Sequence, residues 1–136
     1  MNEVFLDTAY LIALTNSSDT FHIKANQLAQ QLIVRDARLV TTRAVLLEVG
    51  NALAKQRCRE LGIRLLNKIE SSVPIEIVPL SDALYFKAFS LFQDRMDKEW
   101  GLVDCVSFNV MLERGITQAL TSDKHFQQMG FQALLR

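Results

Sequence analysis

The sequence contains four acidic residues whose positions would allow their side chains to form one site: Asp7, Glu48, Asp104 and Asp123. Asp7 directly follows a short apolar run, and Asp123 follows a predicted strand. Because the crevice of an open parallel sheet lies beyond the carboxyl ends of its strands, we expect both at that edge. Asp104 falls in the first turn of a predicted helix, and Glu48 falls within a largely apolar helix, where a carboxylate is costly unless a cation meets it.

The chemistry of such a cluster is that of a metal site. Several carboxylates brought together repel one another unless cations hold them, and hard oxygen ligands select Mg²⁺ or Mn²⁺ over Zn²⁺. A site of this kind suits the hydrolysis of a phosphodiester bond, in which one metal ion lowers the pKa of the attacking water and a second steadies the leaving oxygen. The cluster therefore predicts a metal-dependent phosphodiesterase.

Each acid also has an ordinary structural interpretation. Asp7 and Asp104 could cap helices, where the helix dipole favours a carboxylate by about 0.3 to 1 kcal/mol. Asp123 could be a turn residue, and Glu48 could pair with a basic residue near its helix. These interpretations account for the acids one at a time, but they do not explain why four separate segments should bring acids to one edge.

The elements that must position these acids follow from the apolar periodicity. Strands are predicted over residues 4–6, 38–41, 75–80, 116–121 and 131–135. Helices are predicted over residues 9–14, 25–33, 44–53, 61–69, 84–92 and 102–112, with a basic bend at 55–59 and a polar loop at 93–99. Thr42 and either Ser81 or Asp82 are expected to cap helices, and Gly115 to end one. Alternating strands and helices predict an α/β fold with a mainly parallel sheet covered on both faces.

Length and composition are those of one ordinary globular domain. The 136 residues suit a single domain spanning residues 1–136, and 49% hydrophobic with 22% charged residues argues against disorder. Without a signal-peptide pattern or a membrane-length apolar run, we expect a cytoplasmic protein that does not enter a membrane. The spacing of Cys58 and Cys105 predicts reduced thiols. A formal net charge of zero means that nucleic-acid binding would need a local basic face, metal ions or a partner.

The segments around the four acids resemble the motifs of PIN-domain nucleases, in particular the toxins of bacterial toxin–antitoxin pairs. The matching segments are Phe5-Leu6-Asp7-Thr8, the helix with Glu48 and Asn51, residues 100–108 around Asp104, and residues 120–126 around Asp123. The resemblance extends from Phe5 to the C-terminus. Each motif alone is moderately specific, whereas four in order over nearly the whole chain make a specific pattern.

The resemblance implies a three-layer α/β sandwich and endonucleolytic cleavage of RNA that leaves a 5′-phosphate and a 3′-hydroxyl. Asp7 and Asp104 would be the principal ligands of Mg²⁺ or Mn²⁺, and Glu48 and Asp123 would complete the cluster. The resemblance also implies supporting roles beside the cluster for Thr8, Asn51 and Ser122. The implied partners are an RNA substrate, a small antitoxin protein and a second copy of the chain.

One departure from the family pattern concerns the third motif. Gly101 and Val103 occupy positions where many relatives carry hydroxyl residues before the third acid. Both substitutions leave Asp104 intact, so they bear on how the ligand is supported and not on its presence.

The remaining reactive side chains are assigned structural roles. His22 lies near a helix start and His125 beside Phe126, so we expect both to be structural. Cys105 follows a proposed ligand but points about 100° away on a helix, and is expected to pack as a small hydrophobe.

Two further groups of side chains keep alternatives open. The basic group could contact RNA or an antitoxin, or form a solvated bend, and it comprises Lys55, Arg57, Arg59 and Arg64. An aromatic group at helical spacing is expected in the core or in a dimer contact before a base-stacking role, and it comprises Tyr85, Phe86, Phe89 and Phe92.

Other functions compete with the toxin hypothesis. A PIN-like module could bind RNA or protein without cutting, and a nuclease could serve housekeeping RNA processing. A haloacid-type phosphatase needs a second aspartate two positions after the first, where this chain has Ala9, and a phospho-receiver needs an acidic pair where Asp7 stands alone. The sequence therefore favours the nuclease.

Overall fold

The computed structural model describes residues 2–136, which form an α/β domain with five strands and seven helices. The strands are β1 (Glu3–Leu6), β2 (Arg38–Thr42), β3 (Ile75–Val78), β4 (Gln118–Leu120) and β5 (Gln132–Ala133). The helices are α1 (Thr8–Thr15), α2 (His22–Val34), α3 (Arg43–Ala52), α4 (Gln56–Ser71), α5 (Asp82–Asp94), α6 (Leu102–Arg114) and α7 (Lys124–Gln128).

The strands form one sheet in the order β3-β2-β1-β4-β5, and every neighbouring pair is parallel. From β1 the chain adds β2 and β3 on one side, and later adds β4 and β5 on the other side. The strand order therefore reverses between β1 and β4. In open parallel sheets such a reversal opens a crevice beyond the carboxyl ends of the strands.

Strand β1 is covered on both faces. Its consecutive residues Val4, Phe5 and Leu6 are at most 1% exposed, and successive side chains of a strand point to opposite faces. Both faces of the sheet centre therefore pack against other elements, as the continuous apolar run predicts. The predicted sandwich with a parallel sheet is confirmed.

An aromatic cluster lies beneath the carboxyl edge of the sheet. The ring of Phe108 on α6 meets that of Phe126 on α7 edge to face at 5.0 Å, and Phe5 on β1 lies 6.3 Å from Phe126. All three side chains are fully buried. Because aromatic packing of this kind fixes the relative positions of the elements, the cluster holds α6 and α7 against the end of β1.

The predicted helix caps are present. The Thr42 hydroxyl accepts a hydrogen bond from the backbone N–H of Val45 at the start of α3, and the Ser81 hydroxyl accepts one from Leu84 N–H at the start of α5. Ser81, and not Asp82, is therefore the cap of α5. Gly115 ends α6 in the left-handed conformation with φ of 67°, which glycine adopts without strain.

Several predicted boundaries were wrong. The stretch predicted as a basic bend starts α4 at Gln56, so its arginines are helical. Helix α5 continues to Asp94, past the predicted loop start at residue 93. The strands predicted over 75–80, 116–121 and 131–135 shorten to β3, β4 and β5. Apolar residues continue after β3 and β5, at Leu80 and at Leu134 and Leu135, so the apolar pattern alone did not mark where those strands end.

Both cysteines are free, as predicted. Within residues 2–136, no helix combines the length and apolar character that crossing a membrane requires.

Candidate active site

The four predicted acids converge on the carboxyl edge of the sheet, around the point where the strand order reverses. Asp7 follows β1, and Asp123 follows the neighbouring strand β4 as the N-cap residue of α7. Glu48 comes from α3, which follows β2 on the other side of β1, and Asp104 comes from the first turn of α6. The charges of Asp104 and Glu48 both act on Asp7, and that of Asp123 acts on Asp104.

Asp7 is the buried member of the group, with only 5% of its surface exposed. Burial raises the pKa of Asp7 from the usual 3.8 to about 7, a hydrogen bond from Thr121 opposes this rise, and the charge of Asp104 and then of Glu48 add to it. A carboxylate held this way needs a nearby cation if it is to stay ionised at neutral pH.

A hydroxyl that sequence reasoning missed holds Asp7. Thr121 is fully buried, and its Oγ1 donates a hydrogen bond to Asp7 Oδ2 at 2.7 Å. The same Oγ1 accepts a hydrogen bond from the backbone N–H of Asp123 at 3.0 Å. Thr121 thus ties the acid after β1 to the acid after β4. In the segment Thr121-Ser122-Asp123, either of the two adjacent hydroxyls could have been predicted to hydrogen-bond Asp7.

Asp104, Asp123 and His125 form a compact group. His125 Nδ1 lies 3.0 Å from Asp104 Oδ2 and 3.3 Å from Asp123 Oδ1. Asp104 Oδ2 also accepts a hydrogen bond from Gly101 N–H, and Asp123 Oδ1 one from His125 N–H. Each aspartate therefore accepts a backbone hydrogen bond at the start of a helix and also contacts His125. Burial raises the pKa of Asp104, backbone and His125 hydrogen bonds oppose this, and Asp123 adds to it.

His125 was expected to have a structural role, and the structure places it among the acids. The prediction rested on the neighbouring apolar Phe126, which is indeed fully buried. In the first turn of α7, however, adjacent residues point about 100° apart. His125 consequently faces the carboxylates while Phe126 enters the core.

Glu48 occupies a different environment from the one predicted. It is exposed on α3 rather than enclosed by apolar neighbours, because the apolar side of that helix is carried by Val45, Leu46 and Val49. Its Oε1 accepts a hydrogen bond from the Thr8 hydroxyl. The predicted burial cost therefore belongs to Asp7 and not to Glu48.

Of the three residues predicted to support the cluster, only Thr8 hydrogen-bonds one of the four acids through its side chain in the described residues 2–136. Thr8 contacts Glu48 directly. Asn51 is exposed beside Glu48 on the wall of a cleft of about 260 Å³ between α3, α5 and α6. Ser122 is partly buried, and its backbone carbonyl accepts a hydrogen bond from Arg136. Over residues 2–136, neither the Asn51 nor the Ser122 side chain hydrogen-bonds an acid of the cluster.

The donor set fits a divalent metal ion. Throughout the part of the chain that the structure describes, no lysine or arginine forms an ion pair with Asp7, Glu48, Asp104 or Asp123; the basic group in contact with them is His125. Four carboxylates without a compensating ammonium or guanidinium leave a strong negative field. Hard dications with oxygen ligands satisfy such a field.

Cys105 takes no part in the site. It is fully buried next to Asp104 in sequence, and burial followed by the charge of Asp104 raises the pKa of its thiol to about 11. The thiol therefore stays protonated at neutral pH and packs as an apolar side chain, as predicted.

The chain is similar to known proteins in both sequence and fold. The chain matches the family described as PIN domain over residues 4–132. It is 27% identical over 128 residues to "23S rRNA-specific endonuclease VapC20" of Mycobacterium tuberculosis, in strains CDC 1551 / Oshkosh and ATCC 25618 / H37Rv, covering 94% of this chain and 95% of the relative.

The fold is also similar to a solved structure. The crystal structure of Mycobacterium tuberculosis VapC20, described as a Sarcin-Ricin loop cleaving toxin, superposes with a TM-score of 0.82. The two share 25% sequence identity, and the match covers 94% of this chain and 95% of the other.

Proposed function

This chain belongs to the PIN domain family, and from that premise we propose that it is a metal-dependent endoribonuclease and the toxin of a toxin–antitoxin pair. The observation that carries the proposal is the convergence of Asp7, Glu48, Asp104 and Asp123 at one sheet edge without a lysine or arginine partner. The similarity to an rRNA-specific endonuclease over nearly the full length supports it. The whole of residues 1–136 then forms one nuclease domain.

Each acid has a role in the proposed reaction. The four carboxylates would hold a Mg²⁺ or Mn²⁺ ion, which would lower the pKa of the attacking water and offset negative charge on the scissile phosphate. Asp7 and Asp104 are the principal ligands of the cation, because they are the more enclosed carboxylates. Glu48 and Asp123 are more exposed, so they can orient water or complete the ligand set. Thr121 and Thr8 fix Asp7 and Glu48 through hydrogen bonds.

RNA is the substrate class. Because the similar VapC20 proteins act on 23S rRNA, bacterial ribosomal RNA is the first substrate to test. The formal net charge of zero gives the protein no general attraction to phosphate, so shape and the metal site must supply recognition. We place the activity in the cytoplasm, where ribosomes are found.

We propose a small antitoxin protein as one partner. Four basic residues of the α4 region are exposed, namely Lys55, Arg57, Arg59 and Arg64. Arg59 lines the same cleft as the exposed Ile63. A basic and apolar surface suits an acidic, amphipathic segment. Arg59 also bonds the carbonyl of Ala54, which secures the turn before α4.

We propose a second copy of the chain as the other partner. The aromatic face of α5 consists of Tyr85, Phe86, Phe89 and Phe92, which are 38–63% exposed. They are therefore not core residues of the single chain. Tyr85 and Phe89 stack with ring centroids 6.3 Å apart, so the apolar surface is continuous. An exposed aromatic patch of this kind is typical of an interface, and a self-complementary patch gives a symmetric dimer.

Purified bacterial ribosomes provide the direct test. The full chain is incubated with ribosomes and Mg²⁺ or Mn²⁺, and new RNA ends are mapped by ligation that requires a 5′-phosphate. We expect discrete cleavage that stops with chelator and is absent for Asp7→Asn. Ends that carry a 2′,3′-cyclic phosphate, or cleavage that persists in chelator, would contradict a metal-dependent mechanism. Metal binding without cleavage of any RNA would favour the non-catalytic module, and cleavage confined to precursor RNA a housekeeping nuclease.

A further inference from the structure

His125 is the one histidine of the chain that faces the acidic cluster. The chain has two histidines. The other, His22, is occupied locally, because its Nδ1 lies 2.7 Å from the carbonyl oxygen of Ala13 and its Nε2 lies 3.2 Å from the Asn26 amide. The Nδ1 of His125 is directed instead at Asp104 and Asp123.

We infer that His125 is a nitrogen ligand of the metal ion, so that Asp104, Asp123 and His125 form a mixed imidazole–carboxylate site. The inference rests on the metal dependence proposed above. It differs from an all-oxygen site in both its ligand set and its metal preference.

The interatomic distances fit this assignment. One ligand atom from each of the three residues can be chosen so that all lie within 4.8 Å of one another. Two ligand atoms bound at right angles to one ion, each with a bond of about 2.1 Å, lie about 3.0 Å apart. Nδ1 of His125 lies 3.0 Å and 3.3 Å from the nearest oxygens of Asp104 and Asp123. Little movement is therefore needed to close the three around an ion.

The protonation chemistry of imidazole allows the same atoms to serve with and without metal. A neutral imidazole carries its hydrogen on either ring nitrogen. With the hydrogen on Nδ1, His125 donates a hydrogen bond to Asp104. With the hydrogen on Nε2, the lone pair of Nδ1 is available to a cation between the two aspartates.

A second observation points to a cation at this place. Asp7 is 5% exposed, and its Oδ2 accepts a hydrogen bond from the Thr121 hydroxyl. Over residues 2–136, no lysine or arginine forms an ion pair with Asp7. The negative field at the group containing His125 therefore extends to a buried carboxylate that a bound dication would stabilise.

A nitrogen ligand changes the metal preference. Mg²⁺ favours oxygen ligands, whereas Mn²⁺ and later first-row metals accept imidazole with increasing affinity along the series. We therefore expect the site to bind Mn²⁺ more tightly than Mg²⁺. His125→Asn should lower Mn²⁺ affinity roughly tenfold or more and leave Mg²⁺ affinity within about threefold, so the difference between the two affinities becomes smaller.

Electron spin-echo envelope modulation of the Mn²⁺-loaded full chain detects nitrogen bound to the ion. We expect ¹⁴N modulation in the wild type and in His22→Asn, which is the matched control, and its loss in His125→Asn. Calorimetric titration with Mn²⁺ and with Mg²⁺ gives the affinities, and circular dichroism shows that each variant is folded.

The outcomes separate this inference from the proposed function. Wild-type protein that binds Mn²⁺ and cleaves RNA without ¹⁴N modulation, or modulation that persists in His125→Asn, overturns the histidine ligand and leaves the nuclease intact. Failure of the wild type to bind either ion overturns the metal-dependent nuclease and this inference together. An unchanged Mn²⁺ affinity in His125→Asn likewise overturns the inference.

Discussion

Asp7 is a carboxylate whose ionisation costs the folded protein free energy. Burial raises its folded pKa to about 7 from the usual 3.8. Between these two pKa values the folded protein keeps the Asp7 proton and the unfolded chain has lost it. The contribution of Asp7 to the free energy of unfolding is therefore fully present below about pH 4 and is lost as the pH rises to about 7. Without metal, we expect Asp7→Asn to become more stable than the wild type by roughly 2 to 4 kcal/mol between pH 4 and pH 8.

Chemical denaturation in chelator at pH 4, 6 and 8 measures this effect. Glu48→Gln is the control, because Glu48 is exposed and its replacement should change stability by less than about 0.5 kcal/mol. If the free energies of unfolding of wild type and Asp7→Asn change in parallel across this pH range, ionisation of Asp7 does not destabilise the folded protein. Mg²⁺ or Mn²⁺ should stabilise the wild type at pH 8 and Asp7→Asn much less.

Thr121 supports the cluster through one hydroxyl that serves two acids. Thr121→Val keeps the shape of the buried side chain but removes the hydrogen bonds to Asp7 and to the Asp123 backbone. We expect Mn²⁺ affinity to fall by about 10- to 100-fold, because groups that orient metal ligands commonly have effects of this size. Calorimetry on Thr121→Val and on Thr121→Ser, which retains the hydroxyl, isolates the effect. Equal affinities for the two variants would assign Thr121 to packing alone.

The sequence predicted some residues of the site and missed others. The four acids could be found because each stands at a strand end or in a motif of the family. Thr121 could not be separated from Ser122, since the choice depends on which way the chain turns after β4. The place of His125 depends on the direction of a single helical turn, which sequence periodicity does not resolve in a helix as short as α7.

At the scale of elements, helix caps determine where the acids are presented. Thr42 is fully buried and caps α3, which carries Glu48. Thr42→Ala should lower the free energy of unfolding by about 1 kcal/mol more than Thr42→Ser, because both variants lose the methyl group and only the first loses the capping hydroxyl. Thermal or urea denaturation of the two variants gives this difference. Equal stability would mean that the cap contributes nothing to the position of α3.

The sequence predicted the order and type of the helices and strands correctly, but it did not predict all of their first and last residues. The continuous apolar run of β1 predicted a doubly covered central strand, and Gly115 predicted the end of α6. The start of α4 was missed because Gln56 to Arg59 lack apolar periodicity. These residues lie on a mostly exposed helix, where tertiary context rather than pattern sets the boundary.

At the scale of the whole molecule, the aromatic face of α5 is expected to hold two copies together. Phe86 is the most exposed residue of this face, at 63%, and a carboxylate buried there in a dimer would be unpaired. We expect Phe86→Glu to convert a dimer into a monomer in size-exclusion chromatography with light scattering. Val73→Glu is the control, because Val73 is 97% exposed outside the face and its change should leave the dimer intact. A wild type that is monomeric at every concentration would refute the dimer.

The convergence of four acids on one catalytic site is tested most directly by metal-dependent RNA cleavage. Wild type, Asp7→Asn, Glu48→Gln, Asp104→Asn and Asp123→Asn are compared at equal folded concentration, with ribosomal RNA, in Mn²⁺ and in chelator. Each substitution keeps the shape of the side chain and removes its negative charge. We expect wild-type cleavage only with metal, and a loss of at least about 100-fold in Asp7→Asn and Asp104→Asn. Wild-type rates in those two variants, or cleavage in chelator, would contradict the account.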